Sequence, residues 1–129
     1  MGTEPARIAK TLGFYDPEAP ERAVLVVAAG DVRVNGGRFK RRFGGKPRML
    51  RSDDVAPFTG YPIGGVCPFA NAPGARIFLD ESLRRFETVF PAAGTATSAI
   101  EIPVELLETL SEAEGWVDVS VGWQEGAAE

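Results

Sequence analysis

An α+β domain built on a mixed sheet or small barrel is the fold this sequence predicts, and three observations carry the expectation. "RAVLVVAA" (22–29) is an almost unbroken apolar, β-branched run, the pattern of a strand buried on both faces. "WVDVSV" (116–121) alternates apolar with polar and puts Val117, Val119 and Val121 on one face, the pattern of a half-buried strand. Helical segments lie between them without a regular βαβ alternation, so a doubly wound parallel sheet is not expected. The 129 residues fit a single domain, read as 1–123 with a frayed tail over 124–129.

The elements follow in order. "TEPARIAK" has helical character, with Thr3 as N-cap and Pro5 in the first turn. "KTLGFY" reads as a strand, "DPEAPE" as a loop, and the central strand comes next. "GRFKRRFG" places Phe39 and Phe43 four apart on one helical face, and Gly44 and Gly45 stop that helix. "PRMLR" is a short strand, and "SDDVAPFTG" opens a helix at a Ser52 cap. A turn-rich loop carrying Pro62, Gly64, Gly65 and Pro68 precedes the strand "ARIFLD" and the short helix "DESLRRF", capped by Asp80. "ETVFPAAG" and "SAIEI" read as strands, and "PVELLETL" as an amphipathic helix with Pro103 near its first turn.

Composition narrows the chemistry. No apolar run approaches the roughly 18 residues of a membrane span, and the N-terminus resembles no signal peptide. Ala6 stands where a myristoylation signal has Ser or Thr. One cysteine, Cys67, excludes an intramolecular disulfide and fits a reducing cytoplasm. With no histidine there is no Ser-His or Cys-His pair and no His-bearing zinc site, so neither metal nor cofactor is expected. Catalysis would draw on carboxylates, Lys, Tyr, hydroxyls, backbone groups or the substrate itself. A net charge of −4 argues against a generic nucleic-acid binder. Yet residues 38–51 hold seven of the fourteen basic side chains and no acid. A solvated helix face accounts for that block more simply than phosphate contact does.

Several stretches could form a site. The Gly64-Gly65 loop could turn its N–H groups toward an anion or oxyanion, though a ligand-free tight turn fits the spacing equally well. It lacks the Gly-Lys-Ser/Thr of a P-loop. Cys67 has no basic neighbour to activate it and reads as loop packing. Asp80 reads as a helix cap, and Lys10 either snorkels or faces a cleft. "PAAGTATSAIE" (91–101) is either a polar hairpin loop or a narrow wall with hydrogen-bonding capacity.

Taken together, "RIAKTLGF", "AVLVVAAGD", "TGYPIGGVCPFA", "IFLDESLRRFETVFPAAGTATSAIEI" and "PVELLETL" resemble the YbaK/EbsC family of aminoacyl-tRNA deacylases, whose domain is also inserted in bacterial prolyl-tRNA synthetases. They occur in the family's order and spacing across nearly all of residues 4 to 121. The resemblance implies a barrel-like mixed sheet flanked by helices and hydrolysis of the ester in wrongly charged tRNA, usually prolyl tRNA. Prolyl-tRNA synthetase is then a candidate partner, and no membrane is involved. Lys10 matches the family's functional lysine, Gly64 and Gly65 its glycine loop, and Asp80 the acid of its "DES"-like motif; these four are the expected catalytic group. Val66, Cys67, Gly94, Thr95 and Ser98 are expected to line the substrate pocket, with Gly94 matching the glycine of the later loop. Under this resemblance Arg38, Lys40, Arg41, Arg42, Lys46 and Arg48 are expected to meet tRNA phosphates. Two departures stand out. Family members commonly carry about one more helix and strand before the lysine, and Ile102 replaces a usual capping Thr ahead of Pro103. A non-catalytic tRNA- or synthetase-binding paralogue and a small-molecule binding module are the alternatives.

Overall fold

The computed structural model describes residues 8–51, 53–54, 75–91 and 101–121. β1 (Ile8–Asp16) and β2 (Ala19–Ala29) form an antiparallel hairpin running in register from Ala9 opposite Ala29 to Tyr15 opposite Ala23. The loop expected over Asp16–Glu21 shrinks to Pro17–Glu18. Asp16 makes the tight turn possible by accepting the Glu18 N–H at 2.9 Å, a side chain standing in for a backbone turn bond.

β2 is the central strand its apolar run predicts. It pairs with β1 on one side and in parallel with β4 (Ala75–Asp80) on the other, from Ala23 opposite Ala75 to Val27 opposite Leu79. The mixed sheet is completed by β5 (Thr88–Pro91), β6 (Ile102–Pro103) and β7 (Gly115–Val117), in the order β6-β5-β1-β2-β4-β7. It curls into a half-barrel carrying two helices in a single domain. A separate two-stranded ribbon joins β3 (Arg33–Val34) to β8 (Ser120–Val121).

Strand alternation splits the core into two layers. On one face, α1 (Gly36–Phe43) buries Phe39 and Phe43 against Phe14, Phe78, Val24, Val26, Val117 and Val119. The four rings form a chain with centroid spacings of 4.9, 4.6 and 5.0 Å. On the other face, Val104 and Leu107 of α2 (Val104–Ser111) and Leu83 of a 3-10 helix (Glu81–Arg85) pack on Leu25, Val27, Ile77 and Leu79. α1 starts where Asn35 accepts the Arg38 N–H at 3.0 Å, and it stops at Gly44, as expected, in a left-handed conformation with φ of 91°. Gly45 is needed for a different reason: a Cβ there would lie 2.7 Å from the Pro17 Cβ.

Some expectations need correction. Ile8–Lys10 are strand, not the end of a helix, because Ala9 pairs with Ala29 on one side and Pro91 on the other. Sheet pairing on both edges outweighs a weak local helical preference. "PRMLR" contributes only an isolated bridge, Met49 opposite Phe14. "WVDVSV" is two strands: β7 ends at Val117, β8 begins at Ser120, and the two belong to different sheets. Of "SAIEI", Ile102 lies in β6, and 98–100 fall outside the described residues, as do Thr3, Pro5, Ser52 and the 122–129 tail.

Candidate functional site

Lys10 sits third in β1, opposite Ala28 near the carboxyl end of β2. It is half-buried, and its Nζ donates to the Val32 carbonyl, beyond the turn that follows β2. That turn is closed by the Val32 N–H on the Ala29 carbonyl at 3.3 Å. Between them stands Asp31, whose two carboxylate oxygens accept the Arg85 guanidinium fork at 2.7 and 3.1 Å. Arg85 also donates through Nε to the Ser82 carbonyl at 3.0 Å, while the Ser82 hydroxyl accepts the Ala29 N–H at 3.2 Å. The Arg85 hydrogen bond holds the Asp31 carboxyl below its ordinary value against the opposing effect of burial, helped by the charges of Arg85 and Lys10. Sequence reading singled out neither Asp31 nor Arg85, although "GD" after β2 and the arginines of "DESLRRF" were the available signals.

Asp80, the last residue of β4, is fully buried. One oxygen accepts the Val119 N–H at 3.0 Å; the other accepts the Ser82 N–H at 2.9 Å and the Ser120 hydroxyl at 2.5 Å. The capping role expected of it is present in the Ser82 bond. The other two bonds reach across to the bend between β7 and β8. Three donors satisfy a charge that would otherwise be costly to bury. Lys10 and Asp80 occupy alternate positions continuing the Leu12–Phe14 and Phe78 rows, so they share the α1 face of the sheet. Asp80 is one step beyond the Val27–Leu79 pair and therefore level with Ala28, which faces Lys10 across β1–β2. The two backbones are thus two strand spacings apart, about 10 Å.

Part of the basic block makes described side-chain contacts, and every member but Arg38 is exposed. Arg38 pairs with Asp118 at 2.9 Å. Arg42 lies over the Phe43 and Phe78 rings, and Arg48 over Tyr15. Lys40, Arg41 and Lys46 are exposed. Arg38, Arg41, Arg42 and Asp118 line one open recess beside α1.

The aminoacyl-tRNA editing domain model matches residues 1–110, which contain Lys10, Asp80 and the whole basic block. The chain belongs to the aminoacyl-tRNA editing domain family. This editing domain is 42% identical over 124 residues to the uncharacterized protein YwhH of Bacillus subtilis (strain 168), covering 96% of the chain and 78% of that relative. It superposes on the crystal structure of a candidate trans-editing enzyme for prolyl tRNA synthetase with a TM-score of 0.82 and 30% identity, covering 94% of the chain and 74% of that one. It also matches the structure of hypothetical protein APE2540, with a TM-score of 0.79 and 31% identity over 93% of the chain and 78% of that protein.

Within the editing domain, the residues expected to act together fall in two groups. Lys10 and Asp80 come to one end and one face of the sheet, as described above. Gly64, Gly65, Val66, Cys67, Gly94, Thr95 and Ser98 lie outside the described residues. Pro91, from which the chain continues toward Gly94, pairs with Ala9, the immediate neighbour of Lys10. Among the described residues no helix is long and apolar enough to cross a membrane.

Proposed function

We propose that the chain is a trans-editing hydrolase that removes a small amino acid, such as cysteine or alanine, wrongly esterified to prolyl tRNA in the cytoplasm. The family match over 1–110, with Lys10 and Asp80 inside it, is the observation that carries this reading. Likeness to a candidate trans-editing enzyme for prolyl tRNA synthetase supports it, and it makes that synthetase the expected source of the mischarged substrate. An aminoacyl ester is already activated, so the reaction needs an oriented water and stabilisation of the developing oxyanion. Water oxygen bonds to the ester carbonyl carbon, the bond from that carbon to the ribose oxygen breaks, and the ribose oxygen takes the proton. Backbone N–H groups of Gly64 and Gly65 would face the oxyanion, the neighbouring ribose hydroxyl would orient the water, and the Lys10 ammonium would hold the terminal ribose or its phosphate. Val66, Cys67, Gly94, Thr95 and Ser98 would bound the pocket, admitting small side chains as a second sieve. Asp80, with all its described bonds directed into the fold, would position the site without touching the ester.

Prolyl tRNA charged separately with Cys, Ala, Ser and Pro tests the proposal. Wild type is expected to release one small mischarged amino acid selectively, and Lys10→Ala to slow that release about 100-fold with the fold unchanged by circular dichroism. A folded wild type that binds tRNA and hydrolyses none of the four would overturn the reading in favour of a non-catalytic binding role.

A further inference from the structure

We infer that Arg85 and Asp31 form a clamp whose function is to position the Lys10 ammonium. The role in deacylation rests on the function proposed above; the clamp itself does not.

Lys10 is anchored to a single described acceptor, the Val32 carbonyl, and that carbonyl lies just past the turn after β2, outside the six-stranded sheet. The turn runs through Gly30, the residue with the widest backbone freedom, so a fixing from outside adds to the single Val32 N–H bond that closes it. Arg85 supplies that fixing. Its fork grips both oxygens of Asp31, and its Nε grips the Ser82 carbonyl at the start of the 3-10 helix. A planar guanidinium held at three points sets distance and angle together, which a single ammonium contact cannot do. The 3-10 helix is in turn tied to the sheet by Asp80 at the Ser82 N–H and by the Ser82 hydroxyl at Ala29. The path from the buried Asp80 to Lys10 therefore runs through Ser82, Arg85, Asp31 and Val32. The Asp31 carboxylate is also close enough for its charge to attract that of Lys10.

The side chains of Asp31 and Arg85 are 37% and 26% exposed, so replacing either leaves the core intact. Their purpose is geometry at Lys10, not burial. Surface ion pairs commonly add little to stability.

The test exploits the presence of only three lysines, Lys10, Lys40 and Lys46. The full chain is labelled by brief reductive methylation, and each lysine is quantified by peptide mass spectrometry. The exposed Lys40 and Lys46 serve as internal references for reagent dose, and circular dichroism with a urea unfolding midpoint checks that each variant is folded. With the turn released, Lys10 labelling relative to Lys40 is expected to rise at least threefold in Asp31→Ala and in Arg85→Ala. Arg85→Lys is expected to fall between these and wild type, and the swap Asp31→Arg with Arg85→Asp to return toward wild type. In parallel, hydrolysis of the preferred mischarged tRNA is expected to lose about tenfold in kcat in Arg85→Ala with KM within twofold, partly restored in Arg85→Lys. Unchanged Lys10 labelling in Asp31→Ala, with Lys40 and Lys46 at wild-type levels, overturns the clamp whatever the activity does. Increased Lys10 labelling alongside a wild type inactive on every tRNA supports the clamp and removes the deacylase reading instead.

Discussion

Asp80 and Asp16 are both buried carboxylates at strand ends, yet they answer different needs. Asp80 closes the end of the sheet near Lys10 with three accepted hydrogen bonds and no described counter-ion. Asp80→Ala would remove the acceptor that the Val119 and Ser82 N–H groups and the Ser120 hydroxyl share. A loss of roughly 3–5 kcal/mol is expected by urea unfolding, with Asp80→Asn intermediate because an amide oxygen retains part of the acceptor set. Asp16 lies at the other end, between Arg22 at 3.0 Å and Arg76 at 3.1 Å. Burial pushes its carboxyl up, but the Glu18 N–H, the Arg76 hydrogen bond and the Arg76 and Arg22 charges outweigh it and hold it below the ordinary value. A carboxyl lowered in the folded state contributes stability fully above its unfolded pKa of about 4 and loses it as pH falls through the folded value. Wild type should therefore exceed Asp16→Asn in stability by a constant margin above about pH 5, and the margin should close below about pH 4. A margin that grew toward acid would show the sign to be wrong. At this scale the sequence made Lys10 and the Asp80 cap legible. It hid the Asp31–Arg85 and Asp16–Arg76 pairs, since partners 54 and 60 residues apart leave no local signature.

At the scale of elements, α1 was the most legible, because everything that defines it is local. Its cap, its pair of phenylalanines and its terminating glycine all fall within ten residues. The start of β1 and the break in "WVDVSV" were not legible, since each depends on which distant strand is alongside. Val119 turns out of β7 because Asp80 takes its N–H and Asn35 donates to its carbonyl at 2.7 Å. These bonds also set α1 on the sheet, and Asp118 in the same bend holds Arg38. The solvated-face account of the basic block fits the exposed Lys40, Arg41 and Lys46; their use against tRNA belongs to the proposed function. Replacing Lys40 and Arg41 together by Glu should weaken tRNA binding and flatten the slope of log K against log salt by about 2, near one unit for each phosphate left without its cation. An unchanged slope would assign the block to solubility alone. Circular dichroism should stay as in wild type, because neither side chain packs in the core.

At the scale of the whole molecule, the α+β class and the central position of β2 followed from hydrophobic pattern, whereas the strand order could not. A hairpin joined by two residues, β1–β2, receives β4 in parallel from about 50 residues further along, and β7 joins β4 after the α2 crossover. Parallel pairing over such separations carries a large loop-closure cost and leaves no mark on local sequence. Family resemblance supplied what pattern could not, because it compares whole orders of segments instead of windows.

The sharing of one bend between two sheets has a consequence for how the chain comes into being. Synthesis delivers Lys10 first and Val119 and Ser120 more than a hundred residues later. A nascent chain that has reached Val117 possesses every strand of the six-stranded sheet, yet its Asp80 carboxylate has only the Ser82 N–H of its three donors. It also lacks the partner of β3 and the acceptor that seats Asn35 at the head of α1. Chains released at 117 should be cleaved by a protease within α1 far faster than chains released at 121, although they differ by four residues. Equal resistance would mean that the sheet stands without its latch. Otherwise, four residues decide whether everything made before them becomes a protein.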